Sequence, residues 1–520
     1  MRLPRELPVR IRSPLTGQQS SGESIKPCHW PALSCLAILL CTGCATYPVN
    51  APLEAIDTEN GYRLNNRVLG PNNSDNLFIV LGLSGGGARA AALDYGIIKY
   101  LDSIRFGDDN RSLLDEVDII STSSAASIPA AYYGLFGKDV FIREFKEDVL
   151  YRSIQSGLLK RALNPVHWPR LMSSTFSRGD LAAEYLDQHI FNGLTFADMS
   201  LQRPLILLNA TDIGIGSQLS FVQSNFDLLC SDLSTFPVSR AVTASLSFTP
   251  AFTPITLKNY NDGSCGYSTP KWAKDVLVAG VETDSSVYAA ARDVLSYEDI
   301  EHRPYVHLLD SGISDNVGIR SPALAFSVRD SPASQIERIE DGTIERLVVV
   351  LVDAKPKTHF RSDLKPKPPN AITSVRAAAS TPLANYSYET VSILRKDIRD
   401  AQGNVAKYHS QRRTCKAHAR SVCTNLGQPA ECFDTVLTDC YSRFRVAEKD
   451  QPVEPEFYLM HVSFELLDDE GERDRYQSIP TKLELPREDI DALIGIAPEL
   501  MNQTPDFHLL LQDLDARIRN

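Results

Sequence analysis

The apolar positions of this chain fall into short, nearly unbroken runs, each followed by a turn of small residues and then a stretch of helical period. Asn76–Leu83 (NLFIVLGL) reads as a strand buried on both faces, Ser84–Gly87 as a turn, and Ala88–Ile104 (ARAAALDYGIIKYLDSI) as a helix. The unit recurs: Val117–Ser121 predicts a strand, Thr122–Ala126 a tight turn and Ser127–Phe136 a helix. Further strands are predicted at Pro204–Leu208, Leu219–Val222, Tyr305–Leu309, Arg346–Val352 and Phe457–Leu467. Ser239–Leu246 and the amphipathic Arg487–Met501 read as helices, with a short one after them, while residues 140–203 read as helices and loops. Strand, small-residue turn and helix in repetition predict an α/β fold with a mostly parallel sheet.

Composition narrows the class. The chain has 520 residues, 43% hydrophobic and 23% charged, a globular balance that excludes a disordered, collagenous or polytopic membrane protein. Its 53 basic and 65 acidic residues give −12, so no nucleic-acid partner is expected. The five lysines and arginines among the prolines of Lys355–Pro369 read as a solvated loop.

The N-terminus departs from this pattern. Five basic residues and two acids precede the 12-residue, mostly apolar run Trp30–Cys41, too short for a bilayer span of about 20 residues but suited to the core of an export signal. The run ends at Leu40-Cys41-Thr42-Gly43-Cys44, which resembles a bacterial lipobox, with Cys41 where leucine is usual. Residues 1–43 are therefore expected to be a lipoprotein signal peptide, Cys44 the lipidated residue and 44–75 a tether. Ala45 after the cysteine resembles the outer-membrane sorting class, so a lipid-anchored, periplasm-facing envelope protein is expected. Six cysteines remain beyond it, an even number that fits three disulfides in an oxidising compartment: Cys230 with Cys265, and a local set among Cys415, Cys423, Cys432 and Cys440. The last four lack any C-x-x-C pair, which argues against zinc, and they mark a cysteine-bearing insertion at about 402–453.

Three segments carry candidate chemistry. Ser84-Gly85-Gly86-Gly87-Ala88-Arg89 joins a strand to a helix, where successive backbone N–H groups can hold a phosphate or a developing oxyanion. It is neither a G-x-G-x-x-G fingerprint nor a P-loop. Ile120–Ser127 turns from strand to helix through small residues, as a nucleophile elbow does, with Ser123 or Ser124 at the bend. Asp310-Ser311-Gly312 follows a strand, where α/β sheets collect ligand-binding groups.

Together these segments resemble the bacterial patatin-like phospholipases, which are lipid acyl hydrolases. LGLSGGGARAAALDYG is similar to the family's oxyanion motif, DIISTSSAASIPAAYYGLFG to its elbow and following helix, and LLDSGISDNVGIR to its aspartate motif. PLILLNATDIGIGSQLSFV, SRAVTASLSFTPAFTPITL and SIPTKLELPREDIDALI extend the resemblance from about residue 75 to 510. It implies a three-layer α/β/α patatin-like fold with a mostly parallel central sheet, a catalytic domain over 76–520 with its core motifs in 76–353, and a helical, disulfide-containing C-terminal insertion. It also implies a Ser–Asp dyad of Ser124 and Asp310, since alignment on Ala130–Gly134 selects Ser124 over Ser123. Oxyanion and binding groups would be Gly85, Gly86, Gly87, Arg89 and the N–H of Ala125. No metal or cofactor is required, His307 is expected to be structural, and the substrate would be a membrane phospholipid or another acyl ester. The sequence departs from the family where Thr122 and Ala126 replace the elbow glycines, Ser311 replaces a glycine and Ser84 stands where many members have aspartate. These departures leave a catalytically degenerate lipid-binding or structural lipoprotein as the alternative.

Overall fold

The structure is a computed structural model that describes residues 50–249, 251–280, 285–328, 334–340, 342–356, 366, 368, 371–426, 432–444 and 455–518. The expected signal peptide, Cys44 and most of the basic loop before Pro369 lie outside these residues.

The apolar runs form one eight-stranded sheet. Its strands are β1 (Leu77–Leu83), β2 (Val117–Thr122), β3 (Leu205–Asp212), β4 (Ser217–Ser220), β5 (Ile255–Lys258), β6 (Tyr305–Leu309), β7 (Arg346–Asp353) and β8 (Glu456–Ser463). The order is β8-β7-β1-β2-β3-β6-β5, with β4 paired to β3. β8, β7, β1, β2 and β3 are parallel neighbours, while β6 and β4 run antiparallel to β3, and β5 antiparallel to β6. All seven residues of β1 are buried, as expected of a strand covered by helices on both faces. The covering helices include α1 (Ala88–Ser103), α2 (Ser127–Phe145) and α4 (Val238–Leu246), while α3 (Ile154–Leu163) lies outside this layer with only Ile154 buried. α2 is longer than its pattern predicts and is broken at Gly137, where φ is 78°.

Register brings the turns together. Val352 pairs with Leu83, Leu83 with Thr122, and Thr122 with Leu208, so β7, β1 and β2 end level with one another. β3 runs four residues past that line, to Asp212. β6 enters beside this overhang, its Leu309 pairing with Thr211, and delivers Asp310 back to the same edge. Asp310 therefore reaches the site from an antiparallel strand of the otherwise mostly parallel sheet.

Two boundaries differ from expectation. Residues 50–75 are packed from Asn50 onward: Ala51–Pro52 pairs with Ser231–Asp232, the amides of Leu53 and Ile56 donate to the carbonyls of Cys230 and Cys265, and the Tyr62 hydroxyl exchanges hydrogen bonds with the backbone of Ile206. The polar Asn and Pro residues that suggested a tether serve instead as loop contacts. The C-terminal excursion begins earlier than 402, as a 55-residue helix α5 (Ala371–Asn425) that folds back through α6 (Phe433–Phe444). Cys415–Cys440 and Cys423–Cys432 clamp this hairpin, and Cys230–Cys265 ties the loops that hold the leading segment, with Cα–Cα distances of 5.7–5.8 Å. Among the described residues no helix is long and apolar enough to cross a membrane. A last long helix, α7 (Arg487–Asn502), packs on α1, where a Cβ at Gly96 would meet Ala497 Cβ at 2.8 Å.

Candidate active site

Ser123 extends β2 by donating its N–H to Leu83 O (2.8 Å), and the chain bends at Ser124, whose φ is 52°. The left-handed region costs a non-glycine residue about 1–2 kcal/mol, so neighbours must hold it there. Ser124 N–H donates to Ser311 Oγ (2.7 Å) and Ser124 O accepts from Ser127 Oγ (2.6 Å). Thr122 does not crowd the bend, because its hydroxyl turns into the sheet and donates to Leu207 O (3.1 Å). The elbow thus closes without flanking glycines.

Ser124 Oγ donates to Asp310 Oδ2 (2.8 Å), and Asp310 Oδ1 accepts the N–H of Gly312 (2.8 Å). Asp310 is 6% exposed. Burial pushes its carboxyl up to about 6, against the lowering effect of the hydrogen bonds from Ser124 and Gly312. Thr211 Oγ1 anchors the carbonyl of Asp310 (2.8 Å). No histidine hydrogen-bonds either side chain among the described residues. His307 lies on the exposed face of β6, its Nδ1 3.0 Å from Thr256 Oγ1.

The glycine turn lies against the elbow: a Cβ at Gly85 would meet Ser124 Cβ at 3.1 Å and Asn316 Oδ1 at 2.8 Å. Gly85 N–H is engaged by Asn316 O (3.0 Å), which ties the turn to the loop after Asp310 and takes Gly85 out of the set of free donors. The N–H groups of Gly86 and Gly87 have no hydrogen-bond partner among the described residues. Gly87 has φ 66° and a Cβ there would meet Lys482 O at 2.3 Å, so both the conformation and the approach require glycine. Arg89, expected at the site, is fully buried and turned away from it: Nε donates to Ala354 O (2.9 Å), Nη2 to Thr481 Oγ1 (3.2 Å) and Nη1 to Ile479 O. Burial lowers its guanidinium to about 10, so it stays charged at neutral pH.

A family model described as patatin-like phospholipase matches residues 81–323. Those residues form a patatin-like phospholipase domain. No curated protein matches the chain.

The patatin-like domain contains the glycine turn, Ser124 and Asp310, but a later segment completes their surroundings. The strap 479–484 lies on the glycine turn, where Lys482 O accepts the N–H of Ala88 (2.6 Å) and Arg89 holds the strap at Ile479 and Thr481. Leu483 N–H donates to Gln155 Oε1 (3.1 Å) and Ser156 N–H to Glu484 Oε2 (3.0 Å), which ties the strap to α3. Ala88, Ala91, Ala125, Ile128, Leu150 and Leu483, with Val149 and Ile154, line an apolar recess beside the elbow.

Sequence reasoning missed the part played by Ser311. Its Oγ takes the Ser124 amide and lies 3.1 Å from both Ser123 Oγ and Ser245 Oγ, so the serine found in place of a glycine anchors the bend. It missed the strap too, because a clamp between residues almost 400 apart has no local pattern. The one available signal was a buried-type arginine just inside an alanine-rich helix.

Proposed function

We propose that the chain hydrolyses acyl esters of lipids through Ser124 and Asp310. The observation that carries this reading is the 2.8 Å hydrogen bond from the strained, left-handed Ser124 to a buried carboxylate. In its ionised form Asp310 accepts the Ser124 proton as Oγ attacks the ester carbonyl. The unengaged amides of Gly86 and Gly87, with that of Ala125, stabilise the oxyanion, an effect of about 3–4 kcal/mol per donor in sites of this kind. Collapse of the tetrahedral species breaks the ester bond, and the proton on Asp310 passes to the departing alkoxide. The acyl group stays on Ser124. Water then adds to that acyl ester, gives its proton to Asp310 and releases the fatty acid, and the proton returns to Ser124. Membrane attachment through lipidated Cys44, facing the periplasm, belongs to the same reading and is supported by the apolar run that ends at that cysteine. Replacing the base tests the chemistry: Asp310→Asn should lower kcat on a short-chain ester by about 10²–10⁴-fold, the range of a general base. Unchanged turnover would remove Asp310 from the reaction.

A further inference from the structure

Between Tyr151 and Gly179 the chain carries five basic residues, Arg152, Lys160, Arg161, Arg170 and Arg178, and no acid, although the whole protein is at −12. The same stretch holds the densest group of exposed apolar side chains. Leu159, Leu163, Val166, Trp168 and Met172 are 50–86% exposed. Leu159 and Leu163 stand four apart on α3 and so share a face, and Val166, Trp168 and Met172 follow in the two short helical turns after it. Exposed apolar groups usually occur singly, and a concentration of them marks an interaction surface.

Charge and composition select the partner. Glu184 is drawn in by Arg161 and Arg170, and Glu484 caps the Ser156 amide, which leaves cations in excess. Leu, Trp and Met beside Lys and Arg is the composition of an element that lies in the headgroup region of an anionic bilayer. The surface is also continuous with the site. Ile154, at the start of α3, lines the recess beside Ala125, and Gln155 holds Leu483, which lines the same recess.

We propose that residues 154–172 are the surface by which the domain docks on an anionic phospholipid bilayer, with docking delivering the bilayer's acyl esters to the neighbouring site. The delivery rests on the hydrolase reading above; the docking does not.

The test uses the full-length chain with Cys44→Ser throughout, so that no acyl anchor contributes, and flotation with vesicles of phosphatidylcholine alone or mixed with phosphatidylglycerol. The parent should float with the anionic vesicles, and Leu163→Gln/Val166→Gln/Met172→Gln should reduce that partition by about tenfold or more, given the apolar area withdrawn. Lys160→Glu should weaken binding to anionic vesicles by about fivefold, in line with roughly 1 kcal/mol per basic residue near such a surface. Melting curves matching the parent's show that the variants fold. Equal flotation of the triple variant, or a parent indifferent to phosphatidylglycerol, would overturn the proposal. So would a parent dimer that the triple variant splits while vesicle partition stays unchanged, since the face would then belong to a second copy. Hydrolysis of a soluble short-chain ester is read in parallel: its absence in the parent would count against Ser124 chemistry and leave the flotation result standing.

Discussion

Two buried carboxyl groups of this protein meet different fates. Asp310 is supported by Ser124 and Gly312 and has its carboxyl at about 6. As the base it must be ionised, so kcat/KM on a soluble ester should rise through about pH 6 and lose tenfold per unit below it, a profile readable from initial rates. A flat profile between pH 5 and 7 would contradict the assignment. Asp94, in the middle of α1, is fully buried with neither oxygen hydrogen-bonded among the described residues, and burial holds its carboxyl well above the usual range. The unfolded chain releases this proton near 3.8 while the folded chain keeps it, so Asp94 costs stability increasingly as pH rises from 3.8. Asp94→Asn should therefore raise the unfolding free energy at neutral pH by about 1–3 kcal/mol and change it little at pH 4, measured by denaturant titration. Of these residues, the turn at Ser123–Ser124 and the strand-terminal Asp310 have local signatures, while the choice of Ser124 over Ser123 came from the family resemblance. The burial of Asp94 and the turned-away guanidinium of Arg89 were not legible, because both depend on what packs against α1 from the C-terminal segment.

Among the elements, β1, β2 and β7 lie where their apolar runs predict, because a strand buried on both faces needs a continuous run that little else produces, and β6 lies at its predicted place although its outer face, with Tyr305 and His307, is exposed. β5, whose Ile255–Lys258 alternates buried and exposed over only four residues, leaves too short a signal to read. The antiparallel sense of β6 was hidden for another reason: direction depends on the long connection from β5, which carries no periodic clue. α5 shows the limit of composition. Its cysteines announced a disulfide excursion, but not that one helix runs from Ala371 past the site to the hairpin tip. Ser387 on α5 takes a hydrogen bond from Asn316 Nδ2 (3.3 Å) in the loop after Asp310, whereas Cys415 is 28 residues further on, about 40 Å along the helix. Replacing Cys415, Cys440, Cys423 and Cys432 by serine should loosen the tip and increase its proteolysis, each bridge removed costing local stability of about 2–4 kcal/mol. Ester hydrolysis should stay within about twofold of the parent, since the contact at Ser387 survives that distance. Collapse of activity together with the tip would show that the hairpin supports the site over its whole length.

At the scale of the whole molecule, the family match ends at residue 323, yet the glycine turn is covered by residues 479–484. Residues beyond the matched span, Ile479 and Thr481 through Arg89 and Lys482 through Ala88, thus help to enclose the glycine turn. If Cys44 carries the proposed acyl anchor, Cys44→Ser should weaken membrane partition, as read by fractionation, because an acyl anchor supplies about 0.8 kcal/mol per buried CH₂, and Cys44→Ser combined with Leu163→Gln/Val166→Gln/Met172→Gln should release the protein to the soluble fraction. Membrane partition that survives both this change and the loss of the 154–172 surface would require another attachment. Ser124 is proposed as a nucleophile whose elbow works without flanking glycines. Fluorophosphonate labelling of the parent beside Ser124→Ala, with the modified peptide mapped by mass spectrometry, tests it most directly. A single adduct on Ser124 that disappears in the variant is the expected result. An unlabelled parent, or an adduct on Ser123 that persists in Ser124→Ala, would contradict it.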